Sequence, residues 1–181
     1  MARRRAIKSR TQAELQLRSL ILELNDDIRA RIDRKRIEDL TAACAGLTGT
    51  DGTSLALASL ARRWQYLDAE VRDNDTHIDK LVKQTAPDLL KRPGIGPVCA
   101  AQLLATAGDN PDRLASEAAF AALCGVSPVA HSSGKTQRHR LNRGGDRTAN
   151  SALWTIVNNC SPVGRLSIVA DLPVAGTVDM R

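Results

Sequence analysis

Apolar positions in the first half of the chain recur with a helical period, and from Thr53 to Thr85 the period becomes strict. Leu57, Leu60, Trp64, Leu67, Val71, Asn74, Ile78 and Leu81 follow spacings of 3, 4, 3, 4, 3, 4 and 3. This is the a/d seam of a heptad pattern, and it predicts one long helix. Asn74 is its polar member, of the kind that fixes register or partner number at some cost in stability. Two arrangements satisfy the seam: an antiparallel hairpin with an upstream helix of the same chain, or dimerisation with a second copy. Both hold together if the hairpin itself dimerises. The upstream helix is read over residues 1–32, basic and amphipathic, with Leu17, Leu20, Ile21, Leu24 and Ile28 on one side. A short helix over 36–45 and a Gly46–Gly52 turn separate the two.

Pro87 ends the long helix, and the pattern then changes. Residues 86–107, APDLLKRPGIGPVCAAQLLATA, read as a short helix, a Pro-Gly-Ile-Gly-Pro turn and a second apolar helix from Val98. This is the layout of a helix–hairpin–helix, a DNA-backbone clamp. Gly94 and Gly96 permit the turn, and Ile95 sits between them. Pro97 suits the first helical position because its missing N–H has no partner there anyway. Amides at the second helix's start, with Lys91 and Arg92 just before the turn, would face a phosphate. A plain helix–helix connector is the alternative. Further on, Ser116 caps a short helix to Leu123 with Phe120 and Leu123 inward. Asp146 caps a last helix, Arg147–Asn158, whose buried stripe is read as Leu153, Trp154 and Val157. The expected fold is mostly α: a helical hairpin or coiled-coil arm (residues 1–85), a small helical domain with the helix–hairpin–helix (86–159), and an irregular tail (160–181).

Charge sharpens this picture more than composition does. Four aromatic residues in 181 leave the core to Leu, Ala, Val and Ile. The net charge of +6 is concentrated. Residues 1–36 carry eleven Lys/Arg against five acids, and residues 131–147 carry five against one. Two basic zones on a near-neutral body suggest a polyanionic partner. No apolar run approaches the roughly 20 residues that span a bilayer, so no membrane partner is expected. Cys44, Cys99, Cys124 and Cys160 are scattered without a CxxC pair, and His77, His131 and His139 have no metal-ligand spacing with them. That argues for reduced thiols in the cytoplasm and against zinc or a disulfide framework.

The second basic zone holds the candidate chemistry. His131–Asn150 reads HSSGKTQRHRLNRGGDRTAN. Ser132 and Ser133 sit beside Gly134, followed by Lys135, Arg138, Arg140, Arg143 and Arg147. A serine hydroxyl is a poor nucleophile without a base, a metal or a strongly electropositive setting. The cations could neutralise the non-bridging oxygens of a phosphate. No His or Asp stands at a spacing that makes it an obvious base.

PGIG, AALCGVSP, SSGK and RHRLNRGGDR, in this order, resemble the C-terminal domain of Piv/MooV-type insertion-sequence transposases. These form the IS-one-ten family, also described as DEDD or bridge-RNA-guided recombinases. The resemblance spans about residues 86–157, and residues 1–85 are similar to the family's coiled-coil linker. It implies an enzyme in which a RuvC-like domain binds divalent metal through four acids and the linker dimerises. A serine of the C-terminal domain attacks a DNA phosphodiester to form a phosphoserine link. Carried onto this chain, the nucleophile is Ser133 or Ser132, with Ser133 favoured beside Gly134. DNA, a guide RNA and a second copy are the implied partners, in a bacterial cytoplasm at the nucleoid. No acid before residue 53 sits in a strand-like apolar run, so no metal or other cofactor is expected in this chain. The chain is expected to be a truncated remnant, inactive in recombination alone. Two other readings stand beside it: a non-catalytic nucleic-acid-binding module on a dimerising arm, and a protein–protein adaptor built on the seam.

Overall fold

The computed structural model describes residues 1–24, 36–108, 114–132, 136 and 138–160. They form α1 (Ala2–Leu22), α2 (Ile37–Ala45), α3 (Gly52–Thr85), α4 (Pro87–Leu90), α5 (Pro97–Ala107), α6 (Glu117–Leu123), β1 (Val129–Ala130), β2 (His139–Arg140) and α7 (Arg147–Asn159). The fold is mostly α, as the periodicity predicts, and α3 runs for 34 residues. Two compact units result, Met1–Thr76 and His77–Arg181, with the boundary inside α3.

In the first unit α1 and α3 run antiparallel. Arg3 pairs with Asp75 and Arg10 with Asp68, so the register descends on one helix as it climbs on the other. Leu17 and Ile21 of α1, Leu40 and Cys44 of α2, and Leu57 and Ala61 of α3 close a common core. The intrachain hairpin is therefore formed, and it recentres the seam. The buried stripe of α3 is Leu57, Ala61, Trp64, Asp68 and Val71, whereas Leu60 and Leu67 lie half-buried on its flank. Ala6 and Ala13 of α1 and Ala58 of α3 are buried as well. Asp68 takes a core position, 8% exposed, because Arg10 and Arg72 both neutralise it, the latter at 2.7 Å. Arg10 also lies 5.7 Å above the Trp64 ring, a cation–π contact. Asn74 is half-buried and donates to the Glu70 carbonyl at 2.8 Å. The expected Ile28 contact lies outside the described residues.

The second unit is organised by α5 against α7. Ala100, Leu103 and Ala107 of α5 meet Ala149, Ala152 and Ile156 of α7. Val82, Leu89, Ile95, Phe120 and Cys124 complete that core. The stripe expected on α7 is corrected here. Leu153 is only partly buried, and Trp154 and Val157 are each 67% exposed. Ala149 and Ala152, one turn apart, set a close α5–α7 contact that the bulkier stripe would hold open. Ile78 packs on this core, while Leu81 is 61% exposed.

Leu17→Ala and Leu15→Ala separate the faces of α1. Leu17 is fully buried and its truncation should cost about 2–5 kcal/mol. Leu15 is 59% exposed and should cost within about 0.5 kcal/mol. Chemical-denaturation midpoints of the two variants check this.

Candidate nucleic-acid interface

The basic stretch is held by a turn-rich frame whose parts come from two separated motifs. The α6 helix begins at Ser116, whose hydroxyl accepts the Ala119 amide at 3.2 Å, as its sequence predicts. It ends at Cys124-Gly125, where Gly125 has φ of +69°. Gly125 then lies directly against Gly145. A Cβ added at Gly145 would collide with the Gly125 amide nitrogen and Cα, and would stand 2.8 Å from the Cys124 carbonyl carbon. Only glycine permits two backbones to cross this closely. Hydrogen bonds lock the crossing. The Asp146 amide donates to the Leu123 carbonyl at 2.8 Å. Asn142 Nδ2 donates to the Ala122 carbonyl at 3.3 Å, while its own Oδ1 accepts the Gly144 amide at 2.9 Å. Asn150 Nδ2 reaches the Cys124 carbonyl at 3.3 Å.

Asp146 joins this frame to the helical core. Its Oδ1 accepts from the Thr148 amide at 2.8 Å and the Thr148 hydroxyl at 2.6 Å, capping α7, as expected for this position. Its Oδ2 accepts from the Thr106 hydroxyl of α5 at 2.6 Å. The Thr106 hydrogen bond, followed by that of Thr148, lowers the Asp146 carboxyl to about 2. Burial, and secondarily the Asp146 charge, raise the neighbouring Cys124 thiol to about 11. Cys124 is thus a packing residue and stays protonated at neutral pH.

From this frame projects the ribbon that carries the candidate site. Val129 pairs with Arg140 and Ala130 with His139. The His131 amide extends the ladder to the Arg138 carbonyl at 2.7 Å. Ser132, exposed, follows His131 directly in the chain. Arg138, Arg140, Arg143 and Arg147 are exposed, and none makes an ion pair among the described residues. Val129, Arg140, Leu141 and Arg143 line an open groove on the ribbon. Ser133, Gly134 and Lys135 lie outside the described residues.

The Pro93–Pro97 turn, read from sequence as that of a helix–hairpin–helix, divides differently from its sequence reading. Gly94 has φ of +78°, but a Cβ there would meet Cys160 Sγ at 2.6 Å and the Ile156 carbonyl oxygen at 2.7 Å. Its bareness serves the close approach of the α7 C-terminus. Cys160 Sγ donates to the Pro93 carbonyl at 3.1 Å across the same contact. Ile95 is buried in the core and its amide donates to the Arg92 carbonyl at 3.3 Å. Gly96, the α5 N-cap, is exposed with open space around it, and Pro97 takes the first helical position. Lys91 bonds Asp88 at 2.6 Å, and that partner raises its pKa. Arg92 is exposed. Gly96 and Arg92 thus face solvent at this turn, while Gly94 and Ile95 hold it together. Among the described residues no group of three or more His, Cys, Asp or Glu is arranged to hold a metal ion.

With this geometry in view, the chain can be compared with known proteins. Residues 86–167 match the model of the Transposase IS116/IS110/IS902 family. The matched stretch starts at α4 and takes in the ribbon, the Gly125–Gly145 crossing and α7. That likeness supports a transposase role in general, and with it contact with DNA. No curated protein matches the chain. Among the described residues no helix is long and apolar enough to cross a membrane.

Sequence reasoning missed Thr106 and Asn142. The signal for Asn142 was its place two residues before Gly144, an Asx-turn spacing. Thr106 carries no local signal, since its partner is forty residues away.

Gly145→Ala should destabilise the second unit by about 3 kcal/mol, the upper range for overpacking where a backbone must move. Gly144→Ala should cost far less, because only the Asn142 Oδ1, 3.4 Å away, stands near its Cβ position. Guanidinium melts compare the two. Asp146→Ala should cost about 1 kcal/mol through the lost cap. Because the folded carboxyl is depressed from 3.8 to about 2, that stabilisation is complete above pH 4 and fades as pH falls through 2. Melts of wild type and variant should therefore converge at about pH 2.

Proposed function

We propose that residues 86–160 form the DNA-contacting part of a transposase, with the arginine ribbon gripping a phosphodiester beside a nucleophilic serine. The observation that carries this reading is the set of exposed ribbon arginines, Arg138, Arg140 and Arg143, which make no ion pair among the described residues, with exposed Ser132 one residue beyond His131, whose amide bonds the Arg138 carbonyl. The family match over this stretch supports it. Guanidinium groups bind phosphate oxygens with paired N–H donors and keep their charge at all working pH values. Such a cluster lowers the energy of the extra negative charge that develops as a nucleophile approaches phosphorus.

In the proposed step the Oγ of Ser133 or Ser132 forms a bond to phosphorus, and the bond from phosphorus to a deoxyribose oxygen breaks. The serine proton ends on the departing sugar oxygen. The resulting phosphoserine diester retains the bond energy, so attack by another sugar hydroxyl rejoins DNA and frees the serine. No step is assigned to a metal. Arg92 and Gly96, at the exposed side of the α5 turn, supply a second backbone contact in this reading. A homodimer through the arm is the further expectation. The first unit already uses Leu57, Trp64 and Val71 within the chain, so a second copy would meet the flank, Leu60 and Leu67. A guide RNA would share the same phosphate chemistry.

Replacing Arg138, Arg140 and Arg143 by alanine together should weaken duplex DNA binding whatever the sequence. It should flatten the dependence of log K on log salt by roughly three units, about one per phosphate contact. A sequence-selective loss, or an unchanged slope, contradicts the phosphate role. Covalent trapping tests the serine. With a RuvC-like domain supplied in trans, a denaturant-stable DNA adduct should vanish in either Ser133→Ala or Ser132→Ala. An adduct that survives both removes serine attack.

A further inference from the structure

Only four aromatic residues occur in the chain, and the fold treats them unequally. Trp64 and Phe120 are buried, whereas Tyr66 on α3 is 72% exposed and Trp154, the larger ring, stands 67% exposed in the middle of α7. An indole is the largest apolar surface a side chain offers, and leaving it in water forgoes the burial that Ala149, Ala152 and Ile156 of α7 achieve. The face it occupies is not purely apolar. Arg147, seven residues earlier and so on nearly the same line of the helix, is also exposed. Asn150, between them, bonds to the α6 end from which the ribbon leaves. Val157, one turn beyond Trp154, is 67% exposed as well. An apolar plate with a cation one or two turns away on a nucleic-acid-contacting unit fits an unpaired base with its phosphate. A flat base stacks on indole while the guanidinium takes the backbone charge.

We propose that Trp154 is a stacking platform for an unpaired nucleotide of single-stranded DNA, with Arg147 holding the adjacent phosphate. Granted the phosphate role proposed above for Arg138, Arg140 and Arg143, this assigns the substrate of that surface as a locally opened strand rather than an intact duplex. An intact duplex hides its base faces and has nothing to offer the indole.

The two tryptophans give a direct readout in the full chain. In a Trp64→Phe background, fluorescence comes from Trp154 alone. The free protein should emit as a solvent-exposed indole, unchanged by protein concentration, and a single-stranded oligodeoxythymidine should quench it while duplex does not. Trp154→Ala should weaken oligodeoxythymidine binding about tenfold and leave duplex binding unchanged, and Trp154→Phe should keep most of the affinity. Emission of a buried indole in the free protein, or a shift with protein concentration, overturns the proposal in favour of cover by the chain itself or by a second copy. Tighter binding of oligouridine than of oligodeoxythymidine overturns the assignment to DNA. Single-strand binding that survives Trp154→Ala but is lost on replacing Arg138, Arg140 and Arg143 refutes the stacking platform alone. Loss of neither strand type on those arginine replacements refutes the phosphate role itself.

Discussion

The crossing of Gly125 over Gly145 is the constraint on which the second unit depends. Two chain segments twenty residues apart meet backbone to backbone, at a separation that no side chain tolerates. The end of α6 and the start of α7 are thereby fixed to each other, and the intervening residues must leave and return at one point. Val129-Ala130 leaving and His139-Arg140 returning pair as an antiparallel ribbon. Asp146 then transmits the constraint inward. One oxygen caps α7 and the other takes the Thr106 hydroxyl from α5, so the crossing is tied to the α5–α7 core.

This divides the basic motif into two kinds of residue. Asn142, Gly144, Gly145 and Asp146 build the frame, and their polar groups are consumed by it. Arg138, Arg140 and Arg143 spend nothing on the frame among the described residues, so their charge stays available to a ligand. The α5 turn divides in the same way. Gly94 and Ile95 hold the turn against α7 and the core, while Gly96 and Arg92 face outward. A motif that looks uniform as a string is thus part scaffold and part surface.

What the sequence made legible follows from range. Helix limits set by local signals read well: the Ser116 and Asp146 caps, Pro97 at the first helical position, and the long α3 each depend on residues within a turn or two. Lateral packing read less well. On α3, Leu60 and Leu67 have the larger apolar side chains, yet Ala61 and Asp68 take the centre. Leu17 and Ile21 of the partner helix share the core with the one, and Arg10 pairs with the other. On α7, Trp154 and Val157 carry the strongest apolar signal and face water, because Ala149 and Ala152 allow the closer helix contact. Periodicity counts hydrophobicity, whereas packing selects by shape and by what the facing element offers. The partner of Asp146 on α5 was invisible for a related reason: a hydroxyl forty residues away leaves no local trace.

Cation accounting extends this argument to the whole chain. The net charge of +6 says only that a polyanion would be attracted. The structure shows which cations are already committed. Arg3, Arg10 and Arg72 hold the first unit through Asp75 and Asp68, and Lys91 is paired with Asp88. A cation so paired has its charge offset at short range, and an approaching phosphate must compete with a carboxylate for it. The ribbon arginines have no such competitor among the described residues, and Asp146, the one acid in their stretch, is saturated by hydroxyl and amide donors. Arg4, Arg5 and Lys8 at the start of α1 are likewise exposed without an ion pair among the described residues, so the uncommitted cations fall in two places, one in each unit. Charge matters here by being left unspent, and on the ribbon it is the Gly125–Gly145 frame, built without arginine side chains, that leaves it so.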